Sequence, residues 1–224
     1  MPERAGGADK LSISPVKLST VLWITIFVMP LRAGWCSAAS NEPRHEFEFL
    51  AGYSPASSTL IGTESDRRFI LAGFSYGYRC WIWNSASLSY TAAAMPAAIL
   101  LQPSEVLYNF VPPYQRVSPP HAVYGFAIAP VGFALDVFRT RRIHPFVETM
   151  EGLIASTEPI PENQPDASGL NFLFDLGVGV RWSVSPSRAV SLGYRFLHIS
   201  NAGTTSFNPG VDNNIFYLGY SFLR

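Results

Sequence analysis

The chain has 224 residues, of which 48% are hydrophobic and 14% aromatic, but only 14% are charged. Sixteen Lys and Arg residues balance sixteen Asp and Glu residues, which excludes a nucleic-acid binder held by excess positive charge and a chain disordered by its own charge. Many aromatic residues with so few charges favour a β-protein whose outer surface does not face water.

Residues 1–39 are predicted to be a signal peptide rather than a part of the fold. Lys10 and Lys17 precede an apolar run from Leu18 to Leu31, and small residues follow, including Cys36-Ser37-Ala38-Ala39. A basic region, an apolar stretch and a small-residue cleavage site in this order are typical of secretion signals. The apolar run is shorter than the roughly 20 residues that a transmembrane helix needs.

Eight extended segments follow, in which large apolar residues alternate with small or polar ones. One of them alternates Val190, Leu192 and Tyr194 with Ser191 and Gly193. A period of two over about ten residues, with one apolar face, is typical of strands that cross an outer membrane. The predicted strands are residues 47–53, 68–78, 80–92, 122–137, 143–154, 170–182, 189–200 and 213–224.

The connections between these strands alternate between long and short, as do the extracellular loops and periplasmic turns of outer-membrane barrels. Residues 40–224 are therefore predicted to form an all-β, eight-stranded antiparallel transmembrane β-barrel, integral to the bacterial outer membrane. Side chains just fill the interior of an eight-stranded barrel, which excludes a wide pore. The Pro-rich connection that includes residues 95–120 is interpreted either as a lid or as an ordered rim.

Motifs for metal and nucleotide chemistry are absent from the sequence, which contains no HExxH, CxxC or Walker loop. His45, His121 and His144 are scattered along the chain. No metal site is predicted from them, and no cofactor is expected.

The last predicted hairpin carries the candidate chemistry. His198 and Ser200 are two residues apart, so their side chains share a face, and by parity this is the lipid-facing one. Asp212 returns on the next strand with the same parity. If Ser200 lies opposite Asp212, His198 is diagonal to Asp212 at roughly 7–8 Å between backbones, a gap that a carboxylate can close. The three then supply a nucleophile, a base and an orienting acid, although His-x-Ser alone recurs by chance and an ordinary polar rim is the alternative.

The longer string resembles the lipid A 3-O-deacylase family of PagL-like outer-membrane enzymes. It reads His198-Ile-Ser200-Asn-Ala, then Asn208-Pro-Gly, then an acidic residue, Asp212, on the last strand. The resemblance implies a serine esterase without a metal, in which His198 is the base, Ser200 the nucleophile and Asp212 the acidic member. The family usually has Glu at that position, and aspartate fills the same role in many triads.

The same resemblance implies that Asn208 and the backbone N–H of Gly203 stabilise the oxyanion, with Asn201 as the polar residue beside the serine. The expected partner is lipid A of the outer-leaflet lipopolysaccharide, in the membrane and without nucleic acid. An apolar stripe is expected to hold its acyl chains: Leu192, Tyr194, Phe196, Phe216 and Leu218.

Three further questions stay open in the sequence. The first is which acyl chain is cut, and the second is whether the barrel forms a homodimer. The third is the class of function, because a non-catalytic small barrel with a structural or adhesive role is the alternative to a hydrolase. In that alternative Asp212 would point into the lumen.

Overall fold

The structure, a computed structural model, describes residues 43–108, 112–162, 167–205 and 208–224. The predicted signal peptide lies outside these residues. In the described ranges, no helix is long and apolar enough to cross a membrane. The described residues form eleven strands: β1 (His45–Ser54), β2 (Ser57–Ser58), β3 (Arg68–Ile82), β4 (Ala86–Gln102), β5 (Glu105–Tyr108), β6 (Gln115–Ser118), β7 (His121–Val137), β8 (Ile143–Ile160), β9 (Ser168–Ser185), β10 (Arg188–Ser200) and β11 (Gly210–Leu223).

Eight long strands form a closed antiparallel barrel. They pair in the order β1, β3, β4, β7, β8, β9, β10 and β11, and β11 pairs with β1 to close the ring. At the closure, Phe49 of β1 lies between Tyr220 of β11 and Phe74 of β3. The short β2 pairs with β11, and β5 and β6 form a separate hairpin. The predicted eight-stranded all-β fold is confirmed.

The alternation along each strand separates an apolar outer wall from the interior. On β11, Phe216 and Leu218 are 60% and 59% exposed, whereas Ile215 and Tyr217 beside them are buried. Exposed large apolar side chains recur on seven of the eight barrel strands, all except β4, and an apolar surface of this extent is stable against lipid rather than water. The protein is an integral outer-membrane barrel.

The lumen is filled rather than open. Arg195 lies 2.9 Å from Glu148 and 3.2 Å from Asp175, and Arg181 lies 2.6 Å from Asp136. A cavity among the charged groups has a volume of ≈ 20 Å³, which is room for about one water. Buried apolar side chains close the outer ends of the strands: Phe69, Leu100, Val123, Ile154, Leu173 and Ile199.

The connections alternate as predicted. Long ones follow β1, β4, β8 and β10 at one end of the barrel, and short ones, at residues 83–85, 138–142 and 186–187, lie at the other. The chain enters β1 and leaves β11 at the short-turn end, where the His45 N–H donates to Arg224 O at 2.7 Å. By the rule for outer-membrane barrels, the long connections are extracellular.

The second hairpin lies further along the chain than predicted. The sequence places its turn at Arg79, but β3 continues to Ile82 and carries Cys80 with it. The following strand, β4, extends to Gln102, so the first part of the Pro-rich connection is strand. The predicted end of this strand at residue 92 is wrong, because the alanines at 92–94 show no apolar–polar alternation from which its continuation could be recognised. Pro96 falls at an irregularity in the pairing of β4 with β7, where a strand tolerates proline.

Candidate active site

Three polar side chains meet at the outer end of the β10–β11 hairpin. His198 Nε2 lies 3.0 Å from Ser200 Oγ, and His198 Nδ1 lies 2.6 Å from Asp212 Oδ1. With the proton on Nδ1, the ring donates to the carboxylate, and its Nε2 lone pair accepts the hydroxyl proton of Ser200. This is the arrangement of nucleophile, base and orienting acid in serine hydrolases.

The register of the hairpin differs from the prediction by two residues. His198, rather than Ser200, lies opposite Asp212, and Ser200 lies opposite Gly210. A shift of two residues keeps every side chain on its face, so the three polar groups retain the predicted outward parity. Direct pairing also brings the carboxylate closer to the imidazole than a diagonal position would, which suits the short aspartate side chain.

Loop 1, which we define as residues 55–67, covers the three side chains. Although their parity is outward, the exposed fractions are 7% for His198, 6% for Ser200 and 0% for Asp212. Within loop 1, β2 pairs with β11 at Asp212, and Glu64 forms a parallel bridge with Val211. The polar groups are therefore shielded from the hydrocarbon by protein backbone.

Two backbone amides of loop 1 hold the second carboxylate oxygen. The N–H groups of Ile61 and Gly62 donate to Asp212 Oδ2, at 2.7 Å and 2.9 Å. Because Oδ1 accepts the bond from His198, both oxygens have partners, and hydrogen bonds to a charged acceptor are strong. The orientation of Asp212 is thus determined by loop 1 as well as by β11.

Loop 1 approaches β11 at two facing glycines. A Cβ on Gly62 would lie 2.5 Å from the Gly210 carbonyl oxygen and 3.0 Å from Asp212 Oδ1. A Cβ on Gly210 would lie 2.7 Å from His198 Cε1. The Thr63 N–H donates to Gly210 O at 2.9 Å. A side chain at either glycine would separate the loop from the strand or displace the imidazole.

Arg67 anchors the other end of loop 1. Its Nη1 lies 2.8 Å from Glu64 Oε2, and its Nη2 lies 2.5 Å from Glu105 Oε1. Its Nε–H donates to Gln102 Oε1 at 3.2 Å. The guanidinium is buried and ties loop 1 to the end of β4 and to β5, so the described part of the Pro-rich connection supports the rim beside the site.

The candidate oxyanion groups lie in the turn after β10. The Gly203 N–H donates to Asn201 Oδ1 at 2.8 Å, and Asn201 Nδ2 donates to Thr205 Oγ1 at 2.7 Å. Gly203 has φ of 76°. Asn208 is exposed, and in the described part of the chain no hydrogen bond joins it to the triad. The structure therefore brings Ser200, His198 and Asp212 together, but it does not bring Asn208 to them.

The predicted acyl-contact residues line the outer wall below the triad. Leu192, Phe216 and Leu218 are exposed, and Tyr194 and Phe196 are partly exposed. The rings of Tyr194 and Phe216 lie 5.5 Å apart. The stripe continues directly from the covered polar groups onto the lipid-facing surface.

The two amides of loop 1 were missed by sequence reasoning. A backbone N–H has no residue signature, and the available signal is a glycine after two apolar residues, Leu60 and Ile61, in a long connection. Both of these apolar side chains are exposed, at 77% and 60%.

Comparisons with known proteins found a matching family model and several solved barrels of similar fold. A family model described as "Lipid A 3-O-deacylase (PagL)" matches residues 71–221. A solved structure of the outer membrane enzyme PagL has a TM-score of 0.54 and 20% identity, covering 78% of this chain and 97% of that one. Neisserial surface protein A has a TM-score of 0.49 and 15% identity, and the match covers 80% of this chain and 96% of that one. The outer membrane protein OprG from Pseudomonas aeruginosa has a TM-score of 0.47 and 8% identity, and the match covers 83% of this chain and 98% of that one. No curated protein matches.

Proposed function

Because the chain belongs to the lipid A 3-O-deacylase (PagL) family, we propose that it hydrolyses the ester-linked 3-O acyl chain of lipid A with Ser200 as its nucleophile. The observation that carries the proposal is the hydrogen-bonded series of Ser200, His198 and Asp212 on the outer wall. An apolar stripe for acyl chains lies directly beside it.

The reaction begins with attack of Ser200 Oγ on the ester carbonyl carbon, while His198 Nε2 takes the hydroxyl proton. As the bond from the carbonyl carbon to the sugar oxygen breaks, His198 returns this proton to that oxygen. The deacylated lipid A leaves with a free hydroxyl, and the acyl group stays on Ser200. Water then attacks the acyl-serine with His198 as base, which releases the fatty acid and restores the Ser200 hydroxyl.

Asp212 orients the imidazole and stabilises its charged form. The bond from Nδ1–H to Oδ1 keeps the Nε2 lone pair directed at Ser200. When His198 becomes an imidazolium, the adjacent carboxylate offsets its charge. The amides of Ile61 and Gly62 keep that carboxylate in place during both proton transfers.

The family resemblance assigns the oxyanion to the Asn208 side chain and the Gly203 amide. Donors aimed at the developing oxyanion are often the largest single contribution to such catalysis. Since the Gly203 N–H donates to Asn201 Oδ1 before substrate binds, the proposal requires this amide to exchange Asn201 for the oxyanion. Asn208 must also move towards Ser200.

The position of the triad suits an ester of the outer leaflet. The long connections and the triad share the extracellular end, and the acyl stripe faces the lipid. A substrate that diffuses in the leaflet therefore reaches Ser200 from the side, and the filled lumen does not have to admit it.

Mass spectrometry of lipid A incubated with the purified protein tests the proposal. The wild type should remove the 3-O acyl chain, and Ser200→Ala or His198→Ala should not. Triad members act as a unit, so the double variant should be hardly slower than either single one. Ser191→Ala is the matched control, because Ser191 is a buried serine on the inner face of the same strand. Full deacylation by Ser200→Ala would refute the assignment.

A further inference from the structure

A second group of ionisable side chains lies at the extracellular rim, on the β7–β8 pair. His121 begins β7, Glu158 lies near the outer end of β8, and Glu162 follows that strand. His121 Nε2 lies 3.2 Å from Glu158 Oε2 and 3.0 Å from Glu162 Oε2. One ligand atom from each of the three residues lies within 4.8 Å of the other two.

The imidazole of His121 is oriented towards the carboxylates by its other nitrogen. Nδ1 lies 3.0 Å from the Pro119 carbonyl oxygen, and since a carbonyl only accepts, the Nδ1–H donates to it. His121 Nε2 is buried and faces both carboxylates. Histidines that bind metals are held in this way, with the second ring nitrogen donating to a carbonyl or carboxylate.

In the ion-pair network that the described residues form here, carboxylates outnumber cations. Arg67 forms ion pairs with Glu64 and Glu105 on the side towards loop 1. Burial raises the pKa of the Glu105 carboxyl, and the carboxylates of Glu64 and Glu162 raise it further against the effect of Arg67. With Glu158, four carboxylates share one guanidinium and one imidazole. A rim with this balance of charge attracts a cation.

We propose that His121, Glu158 and Glu162 form a binding site for a divalent transition-metal ion. One imidazole nitrogen and two carboxylate oxygens suit Zn²⁺ and similar ions, whereas Ca²⁺ and Mg²⁺ take oxygen ligands. A tetrahedral ion with bonds of about 2.0 Å separates its ligands by roughly 3.3 Å, close to the two distances from His121 Nε2. The Glu158 side chain is 45% exposed, which gives the ion a path from solvent.

The site would join the start of β7 to the segment after β8. A bound ion would therefore fasten two extracellular connections to each other at the rim. This role does not depend on the chemistry of Ser200, which lies on the β10–β11 pair. The two proposals can accordingly fail separately.

The test is titration of Zn²⁺ into the protein purified from outer membranes in detergent, without a polyhistidine tag and after removal of metals by a chelator. Calorimetry should show one saturable site. His121→Ala and Glu162→Gln should each weaken binding by at least about tenfold, as changes around metal ligands do. His45→Ala is the control, because His45 lies at the periplasmic end and contacts Tyr76. Ser200→Ala should bind Zn²⁺ like the wild type.

Three results would overturn the proposal. One is the absence of saturable Zn²⁺ binding by the wild type, which would leave His121 as an imidazolium paired with two carboxylates. Another is unchanged affinity in both His121→Ala and Glu162→Gln, with heat-modifiable gel migration showing that each variant folds. The third is binding of Ca²⁺ or Mg²⁺ as tight as that of Zn²⁺.

Discussion

At the scale of single residues, the carboxylate of Asp212 connects β11 to loop 1. In Asp212→Asn, an amide oxygen facing the N–H groups of Ile61 and Gly62 turns the NH₂ group towards His198. The imidazole must then accept at Nδ1 and carry its proton on Nε2, where it cannot act as base. We expect a loss on the order of 10⁴ in kcat, as in a serine protease with the same change. An unchanged rate of lipid A deacylation would contradict a triad role.

Asp212→Glu restores the residue usual in the family, yet we expect it to lower activity. The Asp212 side chain is fully buried, and its oxygens already lie 2.6–2.9 Å from three donors. An additional methylene must displace the imidazole or loop 1, and a misplacement of 1 Å can cost about 10²-fold. Kinetics with lipid A measure the effect. Activity equal to wild type would show that the pocket has room for glutamate.

Gly62→Ala tests the backbone contact of loop 1 with the site. The new Cβ meets the Gly210 carbonyl oxygen at 2.5 Å, so loop 1 must move and its amides must release Asp212. We expect kcat to fall by roughly tenfold or more. Gly77→Ala is the control, since a Cβ at Gly77 would lie 3.6 Å from the nearest heavy atom, which is an ordinary van der Waals contact. Equal rates for the two variants would mean that loop 1 does not position Asp212.

At the scale of elements, loop 1 depends on Arg67. Arg67→Met would leave Glu64 and Glu105 without that ion-pair partner, and breaking a buried pair costs roughly 3 kcal/mol or more. We expect faster proteolysis within residues 55–67 and a lower deacylation rate, with heat-modifiable migration retained because the barrel strands stay paired. Arg116→Met, on the exposed face of β6, is the control. Unchanged proteolysis would contradict the anchoring role.

The elements also show how far the sequence alone could predict this molecule. The alternation of apolar with small or polar residues predicted the barrel fold and the outward direction of His198 and Ser200. This was possible because a strand with one face against lipid must alternate along its length. The pairing of His198 with Asp212 could not be predicted, since the turn at 201–209 permits more than one register. The contact of loop 1 with Asp212 could not be predicted either, because loop 1 contacts the carboxylate through backbone amides, which every residue type except proline has.

The grouping of His121 with two glutamates could not be predicted for a related reason. The histidines are scattered along the chain, and among the described residues no second histidine joins His121 in a group of possible metal ligands. Its neighbours are Glu158 and Glu162, which the pairing of β7 with β8 brings together. The extension of β4 was missed because an alanine run carries no alternation. For His121 the missing information is the register between β7 and β8, and for β4 it is the alternation.

At the scale of the whole molecule, charged groups in the lumen stabilise the barrel. Arg195 is fully buried between Glu148 and Asp175, so Arg195→Met would leave buried carboxylates without their cation. We expect a loss of roughly 3–5 kcal/mol in the free energy of unfolding. Urea unfolding followed by heat-modifiable gel migration measures it. Arg188→Met, exposed at the start of the same strand, should change little, and equal stability of both variants would contradict this role.

We propose that a serine on the outer wall carries the acyl group during the reaction. Labelling of outer membranes with a long-chain alkyl phosphonate ester, which reacts with activated serines, tests it most directly. Peptide mass spectrometry should find the adduct on Ser200 in the wild type, and none at that position in His198→Ala, where the hydroxyl is not activated. Lipid A deacylation that persists while Ser200 is fully labelled, or an adduct on another serine that abolishes it, would contradict the account.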